Sequence, residues 1–221
     1  MRALLLADGA APSRADLDAA WPGWDAPVDL VIAADGGARL ARALGLPIDR
    51  WVGDGDSLGR DGMADLRRQG IAVDLAPPDK DESDTELALV AAVEAGATEI
   101  VFLGALGGPR PDHELANVAL LGHPLLEGRT AAIIDPAARI RLLGPGMGVS
   151  LVGRVGDIVS LLPLEEATGV STTGLLYPLS GGTLEVGRPR GLSNVRTREV
   201  ATVVIRGGRL LIVEAPANLS A

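Results

Sequence analysis

Three acidic clusters in the first half of the chain carry the residue types that handle a metal-bound phosphate: ADGG (34–37), GDGDS (53–57) and DKDESD (79–84). In GDGDS, Asp54 and Asp56 lie two residues apart, with Gly53 and Gly55 before and between them. Glycine lets the backbone bend so that alternate carboxylates converge on one cation. Gathered carboxylates repel one another, and a hard divalent ion with oxygen ligands relieves that repulsion. Mg²⁺ carried in on nucleotide phosphates is the expected ion. In DKDESD, Asp81 reads as a further metal ligand and Lys80 as a phosphate contact. These groups together suggest metal-dependent phosphate transfer.

Each cluster also has a plainer reading. GDGDS can be a surface turn whose aspartates bond nearby backbone N–H groups. Ser83 and Asp84 can cap the helix that follows, since carboxylates are stabilised at a helix N-terminus. Capping does not need three aspartates and a lysine, and acidic loops recur after successive strands, so the metal reading is preferred for both. Asp35-Gly36-Gly37 ends one apolar run and opens a helix. Its glycines would let a phosphate or ribose approach the backbone, although alone it reads as an ordinary turn.

A fourth segment, GALGGPRPDHELAN (104–117), is a glycine-rich loop with Asp112 as the expected N-cap of a helix. Arg110 can fork onto a phosphate and stabilise charge as it shifts in transfer. His113 faces either a nucleotide or solvent, and His123, at a helix end, reads as structural. The segment does not meet GxGxxG, and no GxxxxGK[ST] loop occurs in the chain.

The elements that must hold these groups follow from periodicity. Apolar runs at 3–7, 30–34, 51–52, 71–76, 100–103 and 131–134 read as strands. Helical segments are expected at 38–44, 63–69, 85–95 and 113–121. Strands alternating with helices imply a mainly parallel sheet flanked by helices, over residues 1–137. Each acidic cluster then falls at the carboxyl end of a strand, the edge where open α/β sheets bind ligands. Residues 138–221 change character: β-branched runs at 158–162, 183–186, 201–205 and 210–213 are divided by Gly and Pro. They imply a smaller all-β domain, a sandwich or partly closed barrel. Residues 206–209, Arg-Gly-Gly-Arg, read as a hairpin turn between the last two strands.

The totals narrow the function further. The 221 residues are 47% hydrophobic but only 2% aromatic, so Leu, Val, Ile and Ala must fill the core. A net charge of −9 with no basic run argues against nucleic-acid binding. It also repels free ATP, so a nucleotide site must be locally positive or metal-loaded. The absence of cysteine excludes disulfides, thiolate metal sites and a Cys nucleophile. The opening MRALLLADGA has no long apolar run, and a cytoplasmic protein without membrane contact is expected.

Taken in order, ADGG, GDGDS, KDESD and GGPRPDHELAN, then TGLLYPL (173–179) and GLSN (191–194), resemble the motif series of the thiamine pyrophosphokinase family. The resemblance spans nearly the whole chain. It implies a homodimer with its active site between subunits, an ATP-binding catalytic domain at 1–137 and a thiamine-binding, dimerising sandwich at 138–221. It implies transfer of a pyrophosphoryl group from ATP to the hydroxyl of thiamine, giving thiamine diphosphate and AMP. Asp54, Asp56 and Asp81 match the family's metal cluster, and Asp35 and Asp84 its other acidic positions. Lys80 matches a polar or basic position beside them, and Arg110 and Asp112 match the Arg-x-Asp pair of its glycine loop. ATP binding falls to Asp35, Gly36, Gly37, Arg110, Asp112, His113 and Asn117, and thiamine binding to Tyr177, Ser193 and Asn194. Either Asp81 or Asp84 accepts the hydroxyl proton. The chain departs from the family pattern where Pro109 separates Gly108 from Arg110, and where Val195 and Arg196 follow Asn194. The competing expectations are a pyrophosphokinase for another heterocyclic alcohol, such as a hydroxymethylpterin, and a non-catalytic nucleotide-sensing module.

Overall fold

Short apolar segments closed by Gly, Pro or Asp form the strands of the first half, and the amphipathic segments between them form helices. The computed structural model describes residues 1–217. The chain divides into two compact units, Met1–Pro136 and the residues from Ala137 onward.

In the first unit the elements are β1 (Arg2–Leu6), α1 (Arg14–Ala20), β2 (Leu30–Ala34), α2 (Gly37–Leu44), β3 (Arg50–Gly53), α3 (Gly59–Arg68), β4 (Ala72–Leu75), α4 (Asp84–Glu94), β5 (Glu99–Leu103), α5 (Pro111–Ala119) and β6 (Thr130–Asp135). The six strands pair in parallel in the order β6-β5-β1-β2-β3-β4. Central β1 is buried from Ala3 to Leu6, the unbroken apolar run expected of a strand covered on both faces. Leu17 of α1 and Leu40 and Leu44 of α2 pack with Leu4, Leu6, Val31 and Leu103 of the sheet. The chain runs outward from β1 through β4, then returns to β5 on the other side of β1. Strand order therefore reverses at β1, and ligands of such sheets gather beyond the carboxyl ends near the reversal.

Local chemistry sets the helix boundaries. Ser83 caps α4 by accepting the Glu86 N–H at 3.1 Å, so the serine, not Asp84, is the cap. Gly45 ends α2 in the left-handed conformation, φ 65°. Helix α3 begins at Gly59, earlier than its apolar period suggests, and α1 carries too short a pattern to stand out. Among the described residues no helix is long and apolar enough to cross a membrane.

The second unit contains β7 (Ala138–Leu143), β8 (Gly148–Val152), β9 (Ile158–Pro163), β10 (Ala167–Thr173), β11 (Gly182–Leu184), β12 (Asn194–Val195), β13 (Val200–Val204) and β14 (Leu210–Ala215). They form two antiparallel sheets, β7-β14-β9-β12 and β8-β13-β10-β11. Val159, Leu161, Leu210 and Ile212 of one sheet share a core with Leu151, Val170, Ala201 and Val203 of the other. This is a sandwich, with inward residues alternating along each strand.

The expected hairpin at 206–209 is not formed. β13 pairs with β8 and β10, and β14 with β7 and β9, so this segment crosses between sheets. Arg206 and Gly207 bond instead with Thr168, and Arg209 O accepts from Leu164 N. A Cβ on Gly208 would stand 2.0 Å from Glu166 O, so this glycine serves a close backbone crossing.

Candidate active site

The carboxyl ends of β2 and β3 build the acidic centre. After Ala34 the chain turns at Asp35, which holds φ 43° in the left-handed region. Two bonds fix that turn: Asp35 N–H donates to Val52 O at 2.8 Å, and the buried Trp51 indole N–H donates to Asp35 O at 2.9 Å. A Cβ on Gly37 would lie 1.9 Å from Leu6 O, so glycine lets the start of α2 close against β1. The sequence offered Gly36 and Gly37 to a phosphate or ribose; here their missing side chains leave room for Leu6, Asp8 and Arg39.

GDGDS is folded by its own polar groups. Asp54 Oδ1 accepts the Asp56 N–H at 3.0 Å, and Ser57 Oγ donates to Asp56 Oδ1 at 3.1 Å. Arg39 of α2 ties this loop to the end of β1. It donates to both Asp8 carboxylate oxygens at 2.8 Å and to Ser57 O at 2.8 Å.

One carboxylate oxygen from each of Asp35, Asp54 and Asp56 lies within 4.8 Å of the others. Asp35 is 7% exposed, and its buried Oδ1 has no hydrogen-bond partner among the described residues. Burial pushes the Asp35 carboxyl up from the ordinary range; Ser57 opposes this, and Asp84, Asp56 and Asp54 add to it by repulsion. A buried oxygen without a partner is costly, as is unrelieved repulsion between carboxylates. A hard divalent cation with oxygen ligands removes both costs, so these residues fit Mg²⁺.

The loop before α4 is arranged differently. Lys80 Nζ lies 2.9 Å from Asp84 Oδ1, and the lysine side chain is largely buried. Burial acts to lower the Lys80 pKa, but Asp84, then Asp54 and Asp35, more than offset it, and the ammonium is held above its usual value. Asp81 is exposed and stands outside the group of three.

In the glycine-rich segment, Arg110 forks onto Asp112 with bonds of 2.9 and 2.6 Å, and both side chains are exposed. The guanidinium pulls the Asp112 carboxyl down to about 2. Asp112 does not cap α5. Arg110 occupies the cap position without a side-chain bond and Pro111 opens the helix, because proline's fixed φ suits the first helical residue. Asn117 is buried and donates to Ala105 O at 2.9 Å, while Glu114 accepts from Gly107 N at 3.1 Å. Both hold the loop from α5, and His113 is exposed on the same helix. The loop also receives Gly9 N–H on Gly104 O at 2.7 Å and Ala10 N–H on Leu106 O at 3.0 Å.

Asp8, Arg39 and Trp51 are the residues that the sequence reading missed. Asp8 had a signal: Ala7-Asp8-Gly9 repeats the ADG of residues 34–36 after an apolar run. Arg39 and Trp51 act through bonds to residues distant in the chain, Asp8 and Ser57 for the first and Asp35 for the second, which spacing does not reveal.

In the second unit, buried Asn194 clamps the turn at 177. Its Oδ1 accepts from Tyr177 N at 3.0 Å and Val195 N at 2.9 Å, and its Nδ2 donates to Tyr177 O at 2.7 Å. Ser193 is left-handed at φ 56°, with its N–H on Ser160 Oγ at 3.1 Å. Arg196, two residues on, is buried on Glu214 at 2.8 Å and so pins this strand. Tyr177 is 67% exposed, and Tyr177, Leu179, Leu161 and Asn194 line a cavity of about 290 Å³.

Residues 24–133 match the family model for the thiamin pyrophosphokinase catalytic domain, and residues 149–210 match that for the thiamin pyrophosphokinase vitamin B1 binding domain. The thiamine pyrophosphokinase of Bacillus subtilis (strain 168) is 26% identical over 171 residues, covering 77% of this chain and 79% of that protein. A crystal structure of the Bacillus subtilis thiamine pyrophosphokinase has the same fold, with a TM-score of 0.83 at 24% identity over 97% of this chain and 99% of the other. A thiamin pyrophosphokinase structure from Geobacillus thermodenitrificans gives 0.80 at 26% identity, covering 98% of each chain. Two family models fall in order on the two units and between them cover most of the sequence, and the chain therefore belongs to the thiamin pyrophosphokinase family.

Proposed function

We propose that this chain is a thiamine diphosphokinase, transferring the pyrophosphoryl group of ATP to the hydroxyl of thiamine to give thiamine diphosphate and AMP. The observation that carries the reading is the buried, unpartnered Asp35 Oδ1 with Asp54 and Asp56 gathered around it. Asp35, Asp54 and Asp56 would hold Mg²⁺, which neutralises phosphate charge and orients the nucleotide when bound. In the transfer the thiamine hydroxyl oxygen bonds to the β-phosphorus, the bond from that phosphorus to the oxygen of the α-phosphate breaks, and AMP leaves. The hydroxyl proton passes to a carboxylate. Asp84 is engaged by Lys80, which favours exposed Asp81 for that task. Asn194 shapes the turn at 177 beside the cavity that would receive the vitamin, with Tyr177 in its lining and Ser193 next to Asn194 in the chain. The family resemblance supports a homodimer, with the site completed by a second copy.

Purified protein with ATP, Mg²⁺ and thiamine should release AMP and not ADP. Replacing Asp56 by Asn should abolish this turnover while the far-UV circular dichroism is retained. ADP as the product, or near-normal AMP release by Asp56→Asn, overturns the reading.

A further inference from the structure

Asp54, Gly55 and Asp56 line a cavity of about 450 Å³ together with Arg60, Met63 and Arg67 of α3. The spacing 60, 63, 67 puts these three side chains on one helix face. Met63 packs beneath Gly55, whose φ of 83° and missing side chain bring the loop down onto the helix. The guanidinium groups of Arg60 and Arg67 make no hydrogen bond or ion pair among the described residues. Neighbouring Arg68 is taken by Asp65. The cations singled out by the sequence are also engaged: Lys80 by Asp84 and Arg110 by Asp112.

A chain of net charge −9 repels a polyphosphate. The cavity lined by Asp54 and Asp56 also presents two arginines with no partner among the described residues. Arginine is suited to phosphate because its planar fork binds two oxygens at once. We propose that Arg60 and Arg67 are substrate-binding residues for the β- and γ-phosphates of the metal-bound nucleotide, which lie in this cavity between α3 and the Asp54–Asp56 loop. The inference rests on the function proposed above and adds the cations that this function requires.

The test is calorimetric binding of MgATP and of AMP to the full chain, without thiamine, for the wild type, Arg60→Gln, Arg67→Gln and Arg68→Gln. Loss of one charge-assisted contact should raise the Kd for MgATP about tenfold in each of the first two variants. Arg68→Gln should bind as the wild type does, and Arg60→Lys should recover part of the loss. AMP, lacking the two outer phosphates, should bind all variants alike. An unchanged Kd for MgATP in Arg60→Gln and Arg67→Gln, with wild-type binding and AMP release intact, overturns this inference and leaves the proposed function standing. AMP binding weakened as much as MgATP binding overturns the assignment to the outer phosphates. A wild type that neither binds MgATP nor forms thiamine diphosphate overturns the function and the inference together.

Discussion

The indole N–H of Trp51 donates to the carbonyl oxygen of Asp35 at 2.9 Å. The bond joins adjacent strands at the point where β2 turns into α2. It holds a left-handed aspartate whose buried carboxylate oxygen lacks a partner among the described residues. A residue of the core thus sets the geometry of the acidic centre. Replacing Trp51 by Phe leaves the Asp35 carbonyl without its indole donor and removes volume from a fully buried position. The expected loss is about 1–3 kcal/mol of stability, read from urea melts, together with weaker MgATP binding. Ala38 N–H also reaches this carbonyl, at 3.3 Å, so a variant as stable as the wild type would mean that this longer bond suffices.

Asp35 should make the metal-free protein pH-sensitive. Its carboxyl is raised by burial first and by neighbouring aspartates. A folded-state pKa above the unfolded one favours folding while the group is protonated. That stability is fully present below the unfolded value and is lost as pH rises through the raised folded value. In EDTA, the difference in Tm between Asp35→Asn and wild type should therefore grow in favour of the variant as pH rises through this window. Mg²⁺ at neutral pH should raise the Tm of the wild type by binding the folded state, and leave Asp35→Asn unmoved. Equal Mg²⁺ responses would remove Asp35 from the cation site.

Arg110 and Asp112 predict a different outcome. The pair is exposed, and the carboxyl is held at about 2 by the guanidinium fork. The stability linked to a depressed carboxyl is present above its unfolded value and is lost as pH falls through the folded one. Solvent screening makes the pair's contribution small. Arg110→Ala should return Asp112 to the ordinary range in an NMR carboxyl titration and leave the neutral-pH Tm unchanged. A large fall in Tm would show that the fork holds the loop as well.

Asn194 serves three backbone bonds around residues 177 and 195. Asn194→Ala leaves buried polar groups unpaired and should cost about 1–3 kcal/mol. It should raise the KM for thiamine several-fold while the KM for ATP changes little, because the residues proposed to handle ATP lie in the first unit. Steady-state kinetics with each substrate varied in turn would measure both. Equal changes in the two KM values would argue for general loosening over control of the proposed vitamin pocket.

Local chemistry in the sequence was enough to establish the alternation of strands and helices in the first unit apart from α1, the change to an all-β second unit without all of its strands, and the acidic loops at strand ends. Apolar periodicity, glycine and acidic spacing act within a few residues, so a linear reading captures them. Which groups meet depended on contacts between distant segments. Asp35, not Asp81, lies with Asp54 and Asp56 because β2 and β3 pair side by side. Residues 206–209 join two sheets because β13 and β14 find longer pairings elsewhere than with each other. Lys80 and Arg110 look available on paper, but each closes onto a carboxylate two or four residues away. Arg60 and Arg67, unremarkable in the sequence, line one cavity with Asp54 and Asp56 because Met63 of α3 packs against Gly55 of the preceding loop. Pairing between strands and the packing of a helix on its neighbouring loop are decided by the total burial they achieve, which no short stretch of sequence contains.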